Sequence, residues 1–143
     1  LCAGTGIELH LVRPLGFSTD NKYLKRAGLD YWHLVTVHYH DRFDEVLEMY
    51  PNRTFYFCST KASRTHCDVA YPPDAFLVFG KESAGLPHDL LAAHRDRTIR
   101  IPMASGARSL NLSNAVAVVA YEALRQNNFS ALQCVGIGFS AEP

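Results

Sequence analysis

The sequence has no excess of either charge: fourteen Lys and Arg balance fourteen Asp and Glu, and the formal net charge is zero. That excludes a global positive field drawing in nucleic acid, so any RNA site has to be a local patch. Cysteine is scarce. Cys2, Cys58, Cys67 and Cys134 stand far apart with no C-x-x-C pair, which argues against a disulfide framework or a structural zinc site. Three of them adjoin apolar or aromatic residues, where a reduced cysteine behaves as a small hydrophobe. No apolar run is long enough to cross a bilayer, and no basic start followed by an apolar stretch marks a secretory signal. Internal repeats and low-complexity segments are also missing. The expectation is a cytoplasmic protein with no membrane partner.

With 143 residues, 48% hydrophobic and 20% charged, the chain suffices for one domain with a sizeable core and is short for two. Leu1-Cys2-Ala3-Gly4-Thr5-Gly6 lacks an initiator methionine and reads as the end of a helix running into a glycine stop. Short apolar runs then recur. Residues 7–12 alternate and meet Pro14, a strand followed by a breaker. Residues 34–37 are rich in β-branched side chains. The runs 54–58 and 75–79 are nearly continuous, as a parallel strand covered on both faces requires, and 98–101 is a fifth, shorter candidate. Helical patterns lie between them: 21–27 ending at Gly28, 41–50 stopping at Pro51, 86–94, and a long element at 111–127. In the last, Leu112, Ala115, Val116, Val119, Ala120, Ala123 and Leu124 form a broad stripe whose small residues suit close packing on another helix or subunit. Strands alternating with helices predict an α/β fold with a mostly parallel sheet.

Two stretches stand out. Phe79-Gly80-Lys81-Glu82-Ser83-Ala84-Gly85-Leu86-Pro87 follows a buried strand and leads to a helix. Ligands of open α/β sheets sit beyond the carboxyl ends of strands, so this is the place for a binding loop. A triphosphate loop is excluded, because it needs glycine five residues before the Gly-Lys pair and Ser or Thr directly after the lysine. Those positions hold Ala75 and Glu82. Taken alone, the loop is as readily a plain strand-to-helix turn. The second stretch is residues 101–114, where a strand ends at Pro102 and polar residues open the final helix. Ser109 or Asn111 could cap that helix, but capping does not account for Arg108, Ser109, Asn111, Ser113 and Asn114 together.

Other candidates are weaker. His38 and His40 would share one face of a strand, but with no third ligand in view the sequence offers no metal centre. Asp44, Glu45 and Glu48 read as a solvated helix face. Lys22, Lys25 and Arg26, and then Arg95, Arg97 and Arg100, are ordinary charged surface unless they converge in space, where they could hold RNA phosphates.

The motifs Phe-Gly-x-Glu-x-x-Gly-Leu-Pro (79–87) and Ile-Pro-Met…Arg-Ser-Leu-Asn-Leu-Ser-Asn (101–114), in this order, resemble motifs two and three of the TrmH class of the SPOUT superfamily. Arg13-Pro14-Leu15-Gly16-Phe17 and the stretch from Lys22 to Trp32 are similar to the members that methylate the wobble nucleotide of tRNA. The resemblance runs from Leu1 to about Phe129. It implies one SPOUT domain over 1–129 and a tail over 130–143. The implied fold is a parallel sheet flanked by helices, its C-terminal part tied in a deep trefoil knot, an exception to ordinary connection rules.

It also implies S-adenosylmethionine (SAM) as cofactor, no metal, tRNA as partner, a homodimer built on the final helix, and transfer of a methyl group to a ribose 2′-hydroxyl. The implied cofactor-binding residues are Cys58, Gly80, Glu82, Gly85, Ile101, Ser109, Leu110 and Asn114, largely through main-chain groups of three loops. Arg108, Ser109 and Asn111 fall at the implied methyl-transfer end, and Tyr121 faces the dimer or the substrate. Motif one departs from the pattern: its first strand and its arginine, which assists the hydroxyl, would precede Leu1, so the chain begins one residue late and could be inactive as it stands. The alternatives are 2′-O-methylation at another tRNA or ribosomal RNA site, and a non-catalytic SAM- or RNA-binding module.

Overall fold

A computed structural model describes residues 1–26, 28 and 31–136. The chain divides into two compact units, Leu1–Asn52 and Arg53–Pro143.

The first unit opens with a single helical turn, α1 (Cys2–Thr5), closed by Gly6 at φ 71°, whose amide donates to the Cys2 carbonyl. This is the glycine stop expected from the sequence. Strand β1 (Leu9–Val12) ends just ahead of Pro14, and α2 (Asn21–Arg26) follows. The expected helix end at Ala27 lies outside the described residues. A 3-10 turn (Trp32–Leu34) leads to β2 (Val37–His40), which pairs parallel to β1 with His10 opposite His38. The predicted strand at 34–37 therefore sits three residues too early. Leu34 belongs to the 3-10 turn and is 58% exposed, and the backbone that reaches β1 is the histidine-bearing segment. Helix α3 (Phe43–Met49) carries Asp44 and Glu45 in its first turn, where the helix dipole favours carboxylates. Val46 is its buried anchor.

In the second unit the four strands β3 (Phe55–Cys58), β4 (Arg64–Thr65), β5 (Phe76–Phe79) and β6 (Thr98–Arg100) form one sheet in the order β4-β6-β3-β5, parallel throughout. The expected strands at 54–58, 75–79 and 98–101 are all present. Strand β4 was not foreseen: two polar residues are strand only because β6 lies alongside. Helix α4 (His88–Ala93) and a 3-10 turn (Arg95–Arg97) connect β5 to β6, and α5 (Leu112–Gln126) closes the unit. Phe55, Tyr56 and Phe57 are buried, as a strand covered on both faces should be. The core gathers Tyr56, Val69, Tyr71, Ile99 and Val119, with Leu77, Phe79 and Ala123 packed against it. Phe57 stacks on His94 at 4.5 Å between ring centroids. Of the helical stripe read from sequence, Val119 and Ala120 are buried; Val118 and Tyr121, outside that stripe, are exposed. No helix among the described residues is long and apolar enough to cross a membrane.

Candidate active site

From β3 the chain goes to β4 at one edge of the sheet, crosses to β5 at the other and returns to β6. Strands β5 and β6 therefore flank β3, and their carboxyl ends border a topological switch point, where open α/β sheets bind ligands. A cavity of about 520 Å³ opens there, within the size range of small-molecule and cofactor sites. One wall is the turn after β3, Cys58 to Lys61. A second is the turn after β5, from Phe79 to Leu86. A third runs from Ile101 and Met103, past β6, to Ser109, Leu110 and Asn111. Leu112, Ala115 and Val119 of α5 complete the lining with Leu91 and Ile99.

The second wall is shaped by two glycines. Gly85 stands at φ 69°, a left-handed conformation that side chains disfavour. Its amide donates to the Lys81 carbonyl at 2.7 Å, folding 81–85 into a tight turn. The turn lies on Gly80 itself: a Cβ there would strike the Gly85 carbonyl and the Leu86 amide nitrogen. Gly80 is thus required by the turn's own backbone, and the turn brings main-chain groups to the cavity edge.

The third wall ends in a helix cap. Asn111 Oδ1 accepts from the amides of Ser113 and Asn114 and from Ser113 Oγ, at 3.0, 3.4 and 2.6 Å. Of the two capping candidates in the sequence, Asn111 is therefore the cap. With its oxygen committed three times, it positions the helix start and has little capacity left as a base. Burial pushes the Cys58 thiol up to about 12, so it stays protonated and is no nucleophile at neutral pH. The remaining charges at the cavity are Lys61, Lys81 and Glu82, all exposed.

Among the sequence-predicted site residues, Cys58, Gly80, Glu82, Gly85, Ile101, Ser109, Leu110 and Asn111 line this one cavity. Arg108 and Asn114 do not. Arg108 is exposed next to the lining and has no ion-pair partner among the described residues. Asn114 is exposed in the first turn of α5. Lys81 and Met103 line the cavity inside the two stretches marked in the sequence, whereas sequence reasoning missed Lys61 and the α5 residues Leu112, Ala115 and Val119 as lining. The helix stripe signalled burial of those α5 residues but not against what. Of the basic groups, Arg95 and Arg97 are exposed in a 3-10 turn, where Arg97 lies 3.8 Å from Asp96, and Arg100 is half-buried in β6.

An all-parallel sheet with a glycine-turned cavity at its switch point and a capped helix beside it defines a ligand-binding α/β enzyme domain. The chain belongs to the SpoU rRNA Methylase family, whose sequence profile matches residues 1–121. The tRNA (cytidine(34)-2′-O)-methyltransferase of Escherichia coli (strain K12) is 45% identical over 127 residues, 88% of this chain and 81% of that protein. A structure described as giving insights into the 2-OH methylation of C/U34 on tRNA superposes with a TM-score of 0.82 at 43% identity, covering 90% of this chain and 84% of the other. An AdoMet-bound rRNA methyltransferase from Sinorhizobium meliloti superposes with a TM-score of 0.70 at 25% identity, over 87% of this chain and 48% of that one.

Proposed function

We propose that the protein methylates the ribose 2′-hydroxyl of the wobble nucleotide, cytidine or uridine, of tRNA, with SAM as methyl donor. The observation that carries this reading is the convergence of three loops on one cavity. The 80–85 turn and the 101–111 segment, each singled out in the sequence, and the turn after β3, implied by the resemblance through Cys58, all line it. Similarity to the relatives that act at position 34 supports the substrate.

The cavity fits the cofactor by its chemistry. Ile99, Ile101, Leu110 and Val119 supply apolar walls for an adenine ring and an aliphatic chain, and the tight 81–85 turn supplies backbone polar groups at the rim. Bound there, SAM supplies an electrophilic methyl group. The protein has to align the hydroxyl and ease loss of its proton, which makes positioning the main demand. Ser109 is within the lining and orients the hydroxyl. Arg108 beside it offers a guanidinium to a phosphate or to the developing alkoxide. Asn111 fixes the segment by capping α5, and Asn114 completes the capped turn. The 101–112 segment is read as the threaded part of a trefoil knot, and the exposed Val118 and Tyr121 of α5 as part of a homodimer face. Such a tRNA-directed activity belongs in the cytoplasm.

The test is transfer of labelled methyl from SAM to unmodified tRNA, followed by nuclease mapping of the label. Label on the ribose of nucleotide 34 is expected. Label at another tRNA or ribosomal RNA position would replace the substrate assignment, and SAM binding without any transfer would leave a binding module.

A further inference from the structure

The parallel pairing of β1 with β2 assembles a cluster in the first unit that sequence spacing did not reveal. His10 in β1 and His38 and His40 in β2 share one face through the strand alternation and register, and Glu8, one residue ahead of β1, reaches the same cluster through its contact with His38. Glu8 Oε2 lies 2.7 Å from His38 Nε2. The His10 ring stacks on His38 at 4.5 Å and lies nearly parallel to His40 at 5.2 Å. One ligand atom each from Glu8, His10 and His38 falls within 4.8 Å of the others. Behind them, His40 is buried and its Nε2 lies 3.0 Å from His10 Nδ1.

We propose that Glu8, His10 and His38 form a divalent transition-metal site, zinc being the ion whose ligand preferences they match. Two imidazoles and one carboxylate are a set that zinc accepts, with a fourth position for water. Metal–ligand bonds of about 2.0–2.2 Å in a tetrahedron put ligand atoms roughly 3.3 Å apart. Small side-chain rotations bring the three atoms from their present spacing to that value. His40 supplies what such sites usually have behind a ligating histidine. Ligation of His10 through Nε2 leaves Nδ1 on His40, which fixes the ring's tautomer and orientation. The edge of the Tyr50 ring against His10, at 5.6 Å and 85°, restrains it further. A metal here ties β1 to β2 across about thirty intervening residues and stabilises the first unit. The inference does not depend on the methyl-transfer reading, since no residue of the cavity takes part.

The test is calorimetric titration of the untagged protein with zinc sulfate, together with the visible absorption of its cobalt(II) form. One saturable equivalent is expected, with a cobalt spectrum of low coordination number. His38→Ala and Glu8→Gln, both at partly or fully exposed positions, should each weaken binding by at least about tenfold while circular dichroism stays unchanged. His88→Ala and Cys67→Ser should leave it intact. Absence of a saturable equivalent overturns the proposal. So does unchanged affinity in both ligand variants, or loss of binding only in Cys67→Ser, which would place the ion at the His66–Cys67 pair.

Discussion

Gly80 and Gly85 cross so closely that a single Cβ on Gly80 would overlap the Gly85 carbonyl and the Leu86 amide nitrogen. The two glycines serve different needs. Gly85 supplies a left-handed backbone and faces open space, whereas Gly80 has an ordinary φ and no room. Gly85→Ala should therefore cost about 1–2 kcal/mol, the penalty of a side chain in the left-handed region, and weaken SAM binding modestly. Gly80→Ala forces the turn off its position and should cost SAM affinity far more than stability. Calorimetric SAM titration beside thermal melts separates the two; equal losses of affinity would show that the close crossing does not shape the site.

Gln126 clamps the last turn of α5 to the segment that leads into β5. Its Nε2 donates to the Val69 carbonyl at 2.9 Å, and its Oε1 accepts from the Tyr71 amide at 3.0 Å. Gln126→Ala leaves that amide and carbonyl without their partner and should cost roughly 1–3 kcal/mol. Amide exchange at Tyr71 should quicken. Because these residues lie outside the cavity lining, SAM affinity should hold. Unchanged exchange at Tyr71 would mean the clamp contributes nothing.

Glu122 adds a pH-dependent part to the same clamp. Hydrogen bonds from Arg125, then from Gln126, hold its carboxyl down at about 2 against an ordinary 4.5. A depressed folded-state pKa means the stabilisation is fully present above about 4.5 and is lost as pH falls from there towards 2. Urea melts between pH 5 and 2.5 should show a slope in the wild type that is shallower in Glu122→Gln. Parallel slopes would remove Glu122 from the acid response.

Much of the catalytic half was legible because its signals are local. The continuous apolar runs marked β3 and β5, and the 79–87 and 101–114 stretches marked two walls of the cavity before any geometry was known. What escaped depends on partners distant in sequence. Arg64 and Thr65 are polar and become strand only alongside β6. The choice between Ser109 and Asn111 as cap needed the direction of a side chain. His38 and His40 were visible as a pair, but Glu8 and His10 join them only through the β1–β2 register. The β-branched run at 34–37 misled because only its last residue, Val37, enters the pairing segment.

Cys58 tests whether the first wall acts through its main chain. Its thiol is pushed up to about 12 by burial, while Cys67 and Cys134 are exposed. Iodoacetamide at pH 8 should label Cys67 and Cys134 well before Cys58, read by peptide mass spectrometry. Cys58→Ala should keep methyl transfer within a few-fold of wild type. Loss of transfer in a folded, SAM-binding Cys58→Ala protein would assign the thiol a chemical part that its protonation argues against.

Arg108 separates substrate handling from cofactor binding. It adjoins Ser109 in sequence, is exposed, and lies outside the cavity lining. On the proposed reading, a guanidinium there would meet the RNA before the cofactor. A hydrogen bond to a charged group contributes about 1.5–3 kcal/mol, so Arg108→Ala should lower kcat/KM for tRNA by roughly ten- to a hundredfold with SAM affinity almost unchanged. Arg108→Lys keeps the charge without the planar fork and should recover only part of the loss. If the contact is to a phosphate, raising the salt concentration should narrow the gap between wild type and Arg108→Ala through KM, because that attraction is screened. A gap confined to kcat and insensitive to salt would instead place the guanidinium at the reacting hydroxyl. A parallel fall in SAM affinity would move Arg108 into the cofactor site and end its assignment to the RNA.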